Sequence, residues 1–352
     1  MKLPSIFNCS NDMALAAHVC QYQPPKRIQQ MEADLALLAR VWEDTRFAGP
    51  WGWSLATRQR YRQMGVAVEA LPSDDWLEEV RRLSSREFAC GYVKGLLVKL
   101  NDPRLVGEEM RWVDRQCFSW DVLATPEPTW GTSVNRRGAR RSTDVGHVGL
   151  GVVRAPHARI FKSPWSSSGR GVFVSDALDE HTQKRLQGFL SSQGGFVVDR
   201  FYEDKVLDFA MEFFVHEDHQ VEFLGYSVFE TGEHGAYGYN YVESQEELLE
   251  RIEDGDEGVN GVDRGLLERL LAYHQEHLGQ TAYHGPVGID MLKTSGSIHP
   301  CLEINFRMNM GILALLLHER YGAHATVALT PEREHGFQAL VDDGRLMITF
   351  RP

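Results

Sequence analysis

Apolar and polar positions alternate through Val287–Lys293 and again through Ser297–Arg307, a period of two that predicts a pair of β-strands. Ser295-Gly296 between them is a two-residue hairpin signal. With Thr294 paired to Ser297, counting outward places Asp290 opposite Cys301 and Glu303 diagonal to it. Asp290, Glu303, Asn305 and Arg307 then share one face. A one-residue slip would send Asp290 to the other side and break up the group.

The same reading extends along the chain. Strands ARIFK (158–162) and VFVSD (172–176) flank a small-residue loop, Ser166-Ser167-Ser168-Gly169-Arg170-Gly171. Asp179 to Gln193 reads as a helix stopped by Gly194-Gly195, and strand GFVVD follows. VLDFAMEFFV and QVEFLGYSVFE alternate as a hairpin turned at Glu217-Asp218-His219. Ser244-x-x-Glu247 is a capping box opening a helix, and a second helix runs from Arg264 to Leu278. ILALLLHERYG after Gly311 reads as a buried helix, and LMITF as an edge strand.

In the first 120 residues PSIFN and GVAVEALP read as strands. Helices are expected after Asn11 or Asp12, over 31–44, from Ser54 to about Met64, and from Ser73-Asp74-Asp75 to about Ser84. This alternation predicts a small, partly parallel α/β unit.

Composition narrows the function classes. The 352 residues allow two or three structural units, and 43% hydrophobic with 24% charged residues is ordinary for a water-soluble globular protein. A net charge of −12 argues against nucleic acid as a partner, which asks for a basic field. Five cysteines without a CxxC pair are read as reduced thiols of a cytoplasmic protein, with Cys301 a packing residue. The N-terminus lacks the apolar core of a signal peptide, and no run is long enough for a membrane span. His274 and His277 stand one helical turn apart without a third ligand nearby, so zinc is not expected. The basic stretch Arg136–Arg141 reads as a solvated loop ahead of an arm for an anionic substrate, Trp51 and Trp53 as core anchors ahead of pocket walls, and Glu212 and Glu222 as exposed strand charges ahead of groups pointing into the site. Tyr239 and Asn240 are candidate substrate contacts in a Gly- and Tyr-rich loop.

Two carboxylates, an amide and a guanidinium on one sheet face have a chemical reading. Carboxylates in close approach repel unless a cation lies between them. A hard divalent ion accepts one or two carboxylates and completes its shell with water and phosphate oxygens. Arg307 would face a phosphate or oxyanion formed there. The same four residues also suit a solvated sheet face bridged by Arg307. Upstream, the Ser/Gly loop offers backbone N–H groups and hydroxyls to an anion, and Lys162 on the incoming strand adds a point charge.

Lys162, the Ser/Gly flap, Asp290 and the Glu303-x-Asn305 pair, in that order over roughly residues 120 to 320, resemble the ATP-grasp superfamily. The most specific portion is GxDML…LEINFRxxxG. Within the superfamily the chain is most similar to ATP-dependent carboxylate–amine ligases. The resemblance implies an α+β fold in which a small N-terminal α/β domain (1–120) precedes two α+β subdomains that clasp ATP, a lid (121–200) and a C-terminal subdomain with the metal site (201–352).

It implies roles residue by residue. Lys162, Ser167, Ser168, Gly169 and Gly171 would hold the phosphates. The stretch Asp199, Arg200, Phe201 and Tyr202 would form the adenine hinge, and Asp208 would meet the ribose. Asp290, Glu303 and Asn305 would hold Mg²⁺, or Mn²⁺, and Arg307 would face the transferred phosphoryl. Gly288 stands where many members carry a basic residue. The implied activity joins a small-molecule carboxylate to an amine through an acyl phosphate, without a protein nucleophile. A kinase on the same fold and a nucleotide-binding protein without turnover are the alternatives. The sequence leaves both substrates and the oligomeric state open.

Overall fold

The computed structural model describes residues 3–105, 116–119, 154–166, 171–232, 236–254, 261–322, 324–332, 336–342 and 347–350. Two antiparallel sheets organise it. The smaller joins β1 (Gln116–Ser119), β2 (Arg154–Lys162), β3 (Val172–Ala177) and β4 (Gly195–Arg200) in the order β1-β4-β2-β3. The larger joins β5 (Lys205–Val215), β6 (Val221–Thr231), β7 (Tyr237–Val242), β8 (Gly285–Thr294), β9 (Ile298–Asn305), β10 (Ala325–Glu332), β11 (Gly336–Asp342) and β12 (Met347–Phe350). Its order is β12-β11-β10-β7-β6-β5-β8-β9, so β12 is an edge strand, as read from LMITF, and β9 is the other edge.

Helices in chain order are α1 (Asn11–Ala17), α2 (Lys26–Asp34), α3 (Leu55–Gln63), α4 (Asp74–Leu83), α5 (Arg86–Leu100), α6 (Glu180–Gln193), α7 (Gln245–Glu253), α8 (Arg264–Leu278) and α9 (Met310–Tyr321). Polar caps start most of them. Ser54, Ser73, Ser85, Asp179, Asp263 and Asn309 each accept a backbone N–H in the first turn, and Ser244 with Glu247 forms the expected capping box.

The period of two on β5 explains how the large sheet is covered. Phe209, Met211, Phe213 and Val215 face one way and pack with Leu266, Leu267 and Leu270 of α8 and Val93 and Leu96 of α5. On the opposite face Val242 and Val327 pack with Ile312 and Leu313 of α9 and with Leu35, Leu38 and Trp42 near the N-terminus. The first hundred residues therefore contribute to the cores on both sides of the sheet. In the smaller sheet, Phe161, Phe173, Phe196 and Val198 pack under Leu186 and Leu190 of α6.

The N-terminal segment departs from expectation in its strands. PSIFN supplies only an isolated parallel bridge, Ile6 with Pro50. GVAVEALP contains a short 3-10 turn at Val68–Ala70. That turn brings Val66 and Leu71 together against Ile6 and Tyr61, a local burial that needs no partner strand. Helix 31–44 begins earlier, at Lys26 after Pro24-Pro25, and breaks at Leu35 into a 3-10 segment, Ala36–Val41. Helix α5 was not anticipated, although Ala89, Val93 and Leu96 already show its apolar spacing.

The β8–β9 hairpin turns where expected, with Thr294 N donating to Ser297 O at 2.9 Å. Beyond Leu292, paired with His299, the register shifts by two residues, and Asp290 lies directly opposite Glu303 rather than Cys301. Pro300 sits in the shift. It has no N–H for the ladder, which favours a bulge there. A shift of two preserves the parity of the strand, so the four polar residues keep their common face.

Candidate active site

That face is organised by an unbroken chain of hydrogen bonds. Asn305 Nδ2 donates to Asp290 Oδ2 at 3.1 Å, and Arg307 Nη2 donates to Asn305 Oδ1 at 2.8 Å. Arg307 also grips Asp12 of α1 in a fork, Nε to Oδ1 at 3.0 Å and Nη2 to Oδ2 at 2.9 Å, and its Nη1 donates to Met308 O. Asp12, read from sequence as a helix-capping residue, is thus the anchor of the site arginine.

The two opposed carboxylates are electrically unequal. Burial, then the charges of Glu303 and Glu212, hold the Asp290 carboxyl well above the usual carboxylate range. Burial also opposes ionisation of Glu303, but Arg86, Arg307 and Lys162 overcome it and hold its carboxyl below its ordinary value. Arg86, the first residue of α5, reaches across to Glu303, Nη2 to Oε2 at 3.1 Å, while its Nη1 donates to Ser163 O at 2.9 Å. No sequence pattern near the hairpin points to it.

A third carboxylate lies beside this pair. Glu212 is 1% exposed and accepts from Ser227 Oγ at 2.8 Å and Asn309 Nδ2 at 2.7 Å. It is a buried site residue, not the exposed strand charge expected; Glu222 is only partly buried and pairs with Arg46. Gly288 and Gly311 make room for it. A Cβ at Gly288 would overlap Asn309 Nδ2 and Glu212 Oε2, and one at Gly311 would overlap Glu212 Oε1 and Ser227 Oγ. A basic side chain at position 288 would therefore collide with this network.

Burial pushes the Glu212 carboxyl up to about 7 from 4.5. The folded state thus holds this proton over a range where the unfolded chain has lost it. Its contribution to stability is full below about pH 4.5 and is lost as pH rises to 7, on the order of 3 kcal/mol. Glu212→Gln is expected to remove that part of the pH dependence, read as a flatter profile of melting temperature between pH 5 and 8.

The polar face opens into a cavity of about 360 Å³. Asp290, Glu303, Asn305 and Arg307 line one part of it, Glu212, Asn240 and Tyr237 another, and Phe7, Met13, Ile28 and Met31 of the N-terminal segment close it. Asn240 lines it from β7, not from a loop, its Oδ1 accepting from Tyr237 Oη, whereas Tyr239, also on β7, pairs with Tyr241. Trp51 is a core residue against Trp42 and Phe7, as expected. It also borders this cavity and, with Trp53 and Arg307, a neighbouring one of about 520 Å³.

The expected nucleotide residues lie on strands of the two sheets and on the link between them: Lys162 ends β2, Asp199 and Arg200 end β4, and Asp208 is on β5. Asp199 to Tyr202 lead from β4 towards β5, with Phe201 N donating to Ala158 O. Lys162 is buried, with Nζ 3.9 Å from Asp199 Oδ2, and His299 approaches the same oxygen at 3.7 Å. Asp208 accepts from Lys205 Nζ at 2.7 Å and Thr231 Oγ1 at 2.6 Å. Gly171 has φ +71°, and a Cβ there would overlap Ser163 Oγ, so the base of the flap requires glycine. Ser167, Ser168 and Gly169 lie outside the described residues, as do Arg136–Arg141.

No protein-family model matches the chain, and no curated protein does. Solved structures do. The biotin carboxylase domain of a Hydrogenobacter thermophilus 2-oxoglutarate carboxylase, with MgADP and bicarbonate, is similar at 11% identity and TM-score 0.35 over 46% of this chain and 36% of that one. N5-carboxyaminoimidazole synthetase from Staphylococcus aureus, complexed with ADP, is similar at 13% identity and TM-score 0.29 over 46% and 41%. An ATP-grasp superfamily protein from Archaeoglobus fulgidus is similar at 15% identity and TM-score 0.31 over 52% and 54%. In each case this chain spans less than two thirds of the neighbour's length.

The shared face of Asp290, Glu303 and Asn305 is a hard-oxygen donor set. Among the described residues no group of three or more His, Cys, Asp or Glu is arranged to hold a metal ion. Two carboxylates and an amide instead suit an ion that takes most of its shell from water and phosphate, which is the habit of Mg²⁺. The opposed pair fits such an ion on its own chemistry, since the charge on Glu303 opposes ionisation of Asp290 and a cation would relieve it. No described helix is long and apolar enough to cross a membrane.

Proposed function

We propose that this chain is an ATP- and Mg²⁺-dependent ligase that activates a small-molecule carboxylate as an acyl phosphate for attack by an amine. The observation that carries this reading is the direct opposition of Asp290 and Glu303 on a face shared with Asn305 and Arg307, at the wall of a cavity. Asp290, Glu303 and Asn305 would hold the magnesium, which supplies positive charge at the phosphates when bound. Lys162 and the Ser/Gly flap would hold the phosphates, Asp199 to Tyr202 the adenine and Asp208 the ribose. Arg307, fixed by Asp12, would present its remaining N–H to the transferred group and to the tetrahedral adduct formed when the amine attacks. Residues 1–120 would close the substrate side, 121–200 would act as the lid and 201–352 would carry the metal site.

The test is release of ADP and phosphate from MgATP against pooled carboxylates and amines, with Glu303→Gln as the control. Release that depends on both pools, and falls by roughly 10³-fold in the variant, is expected. ADP formed without free phosphate would mark transfer to a hydroxyl instead. Turnover by Glu303→Gln at the wild-type rate would overturn the metal assignment.

A further inference from the structure

We propose that Arg86, carried by the helical N-terminal segment, is a further cation, beside Arg307, that meets the terminal phosphoryl group of the nucleotide. This inference rests on the nucleotide reading above and adds to it a residue outside the hairpin and the flap.

The argument begins with available donors. Of the five N–H groups of Arg307, four are used, by Asp12 twice and by Asn305 and Met308. Arg307 is therefore largely committed to holding the site together. Position 288 on β8 carries no side chain, and the space beside it is filled by Asn309 and Glu212. Lys162 pairs with Asp199, on the side of the cleft towards His299. Arg86 differs from these. Among the described residues it spends one N–H on Ser163 O and one on Glu303 Oε2, which leaves three for a ligand.

Placement supports the same assignment. Arg86 is 5% exposed, and α5 fixes its backbone through N–H donation to Pro164 O at 3.0 Å. The guanidinium therefore joins the foot of the flap to a metal carboxylate in a fixed geometry. A narrow cavity of about 10 Å³, room for a single oxygen atom, lies there, lined by Asp12, Arg86, Pro164, Ser166, Glu303 and Asn305, the last two of which also line the 360 Å³ cavity. Ser166 Oγ is buried in that lining and has no hydrogen-bond partner among the described residues. A buried hydroxyl left without a partner costs stability unless a ligand answers it. A single phosphate oxygen reaching into that cavity, with the rest of the group in the larger one, would accept from Arg86 and Ser166 next to Glu303. The cation would then be delivered by packing of the N-terminal segment rather than by the sheet itself.

The experiment is calorimetric titration of wild type, Arg86→Met and Ser166→Ala with MgATP and with MgADP, which lacks the terminal phosphate. Arg86→Met is expected to weaken MgATP about 10- to 100-fold and Ser166→Ala a few-fold, with MgADP nearly unchanged in both. Millimolar guanidinium is expected to restore part of the loss in Arg86→Met. Equal losses for MgATP and MgADP would mark a structural role and overturn the proposal, as would wild-type MgATP affinity in the variants. Ser166→Ala breaks no described bond and decides the matter alone if Arg86→Met fails to fold. Wild-type protein that binds neither nucleotide would overturn the nucleotide reading itself, whereas intact wild-type binding with unaffected variants would overturn only the role of Arg86.

Discussion

Asp290→Asn is expected to melt above the wild type and to turn over no ATP. Burial and the charges of Glu303 and Glu212 raise the Asp290 carboxyl well above its ordinary value, so its ionised form is a load on the folded state. The sign follows from linkage. A raised carboxyl contributes fully to stability below the unfolded value, near pH 4, and that contribution is lost as pH climbs towards the folded one. Asparagine has no charge to lose and keeps an oxygen to accept from Asn305 Nδ2. The variant should gain about 1 to 2 °C for each kcal/mol of repulsion relieved, at neutral pH, with the gain vanishing near pH 4. Scanning calorimetry across pH, paired with ADP release, checks both halves. A variant that melts below the wild type at neutral pH would show that the pair is not repulsive. A site that is more stable without its functional charge is a familiar trade between stability and activity.

The second large effect is expected at Asp12. Its carboxylate and the Arg307 guanidinium are mostly buried, with side chains 12% and 13% exposed, and they meet in a forked pair. Asp12→Ala leaves that guanidinium without its main partner, beside two carboxylates that attract it. Breaking a buried pair from one side costs about 3–5 kcal/mol. Arg307 would then turn towards Glu303 and Asp290, and misplacement of a positioning group by about 1 Å costs roughly 100-fold in rate. A large fall in melting temperature together with a fall in kcat for substrate-dependent ADP release is the expected pair of results. A variant with wild-type kcat would remove Arg307 from the proposed mechanism.

What could be read in the sequence was local. The polar face of the hairpin was legible because strand parity survives an even shift: the register was two residues out, yet Asp290, Glu303, Asn305 and Arg307 still share a side. The turn at Thr294–Ser297 and the Ser244–Glu247 capping box were legible for the same reason, being set by neighbours in sequence. The partners of those residues were not. Asp12 meets Arg307 across 295 positions, Arg86 meets Glu303 across 217 and Asn309 meets Glu212 across 97, distances over which no periodicity carries information. Glu212 looked like an exposed charge because its alternating strand does not reveal that α9 begins directly above it. The first hundred residues misled for a related reason. VAVE has the composition of a strand, but a strand needs an edge to pair with, and Val66 and Leu71 find their burial against Tyr61 instead.

The shift at Pro300 has a consequence beyond the placement of carboxylates. β9, which carries Glu303 and Asn305, is an outer strand of the eight-stranded sheet, and an outer strand with a regular ladder is a template for a neighbouring chain. The bulge twists the strand out of line, and Arg104 O takes the N–H of Ile298 at one end. The irregularity that sets the two acids face to face therefore also makes this edge a poor template for another strand.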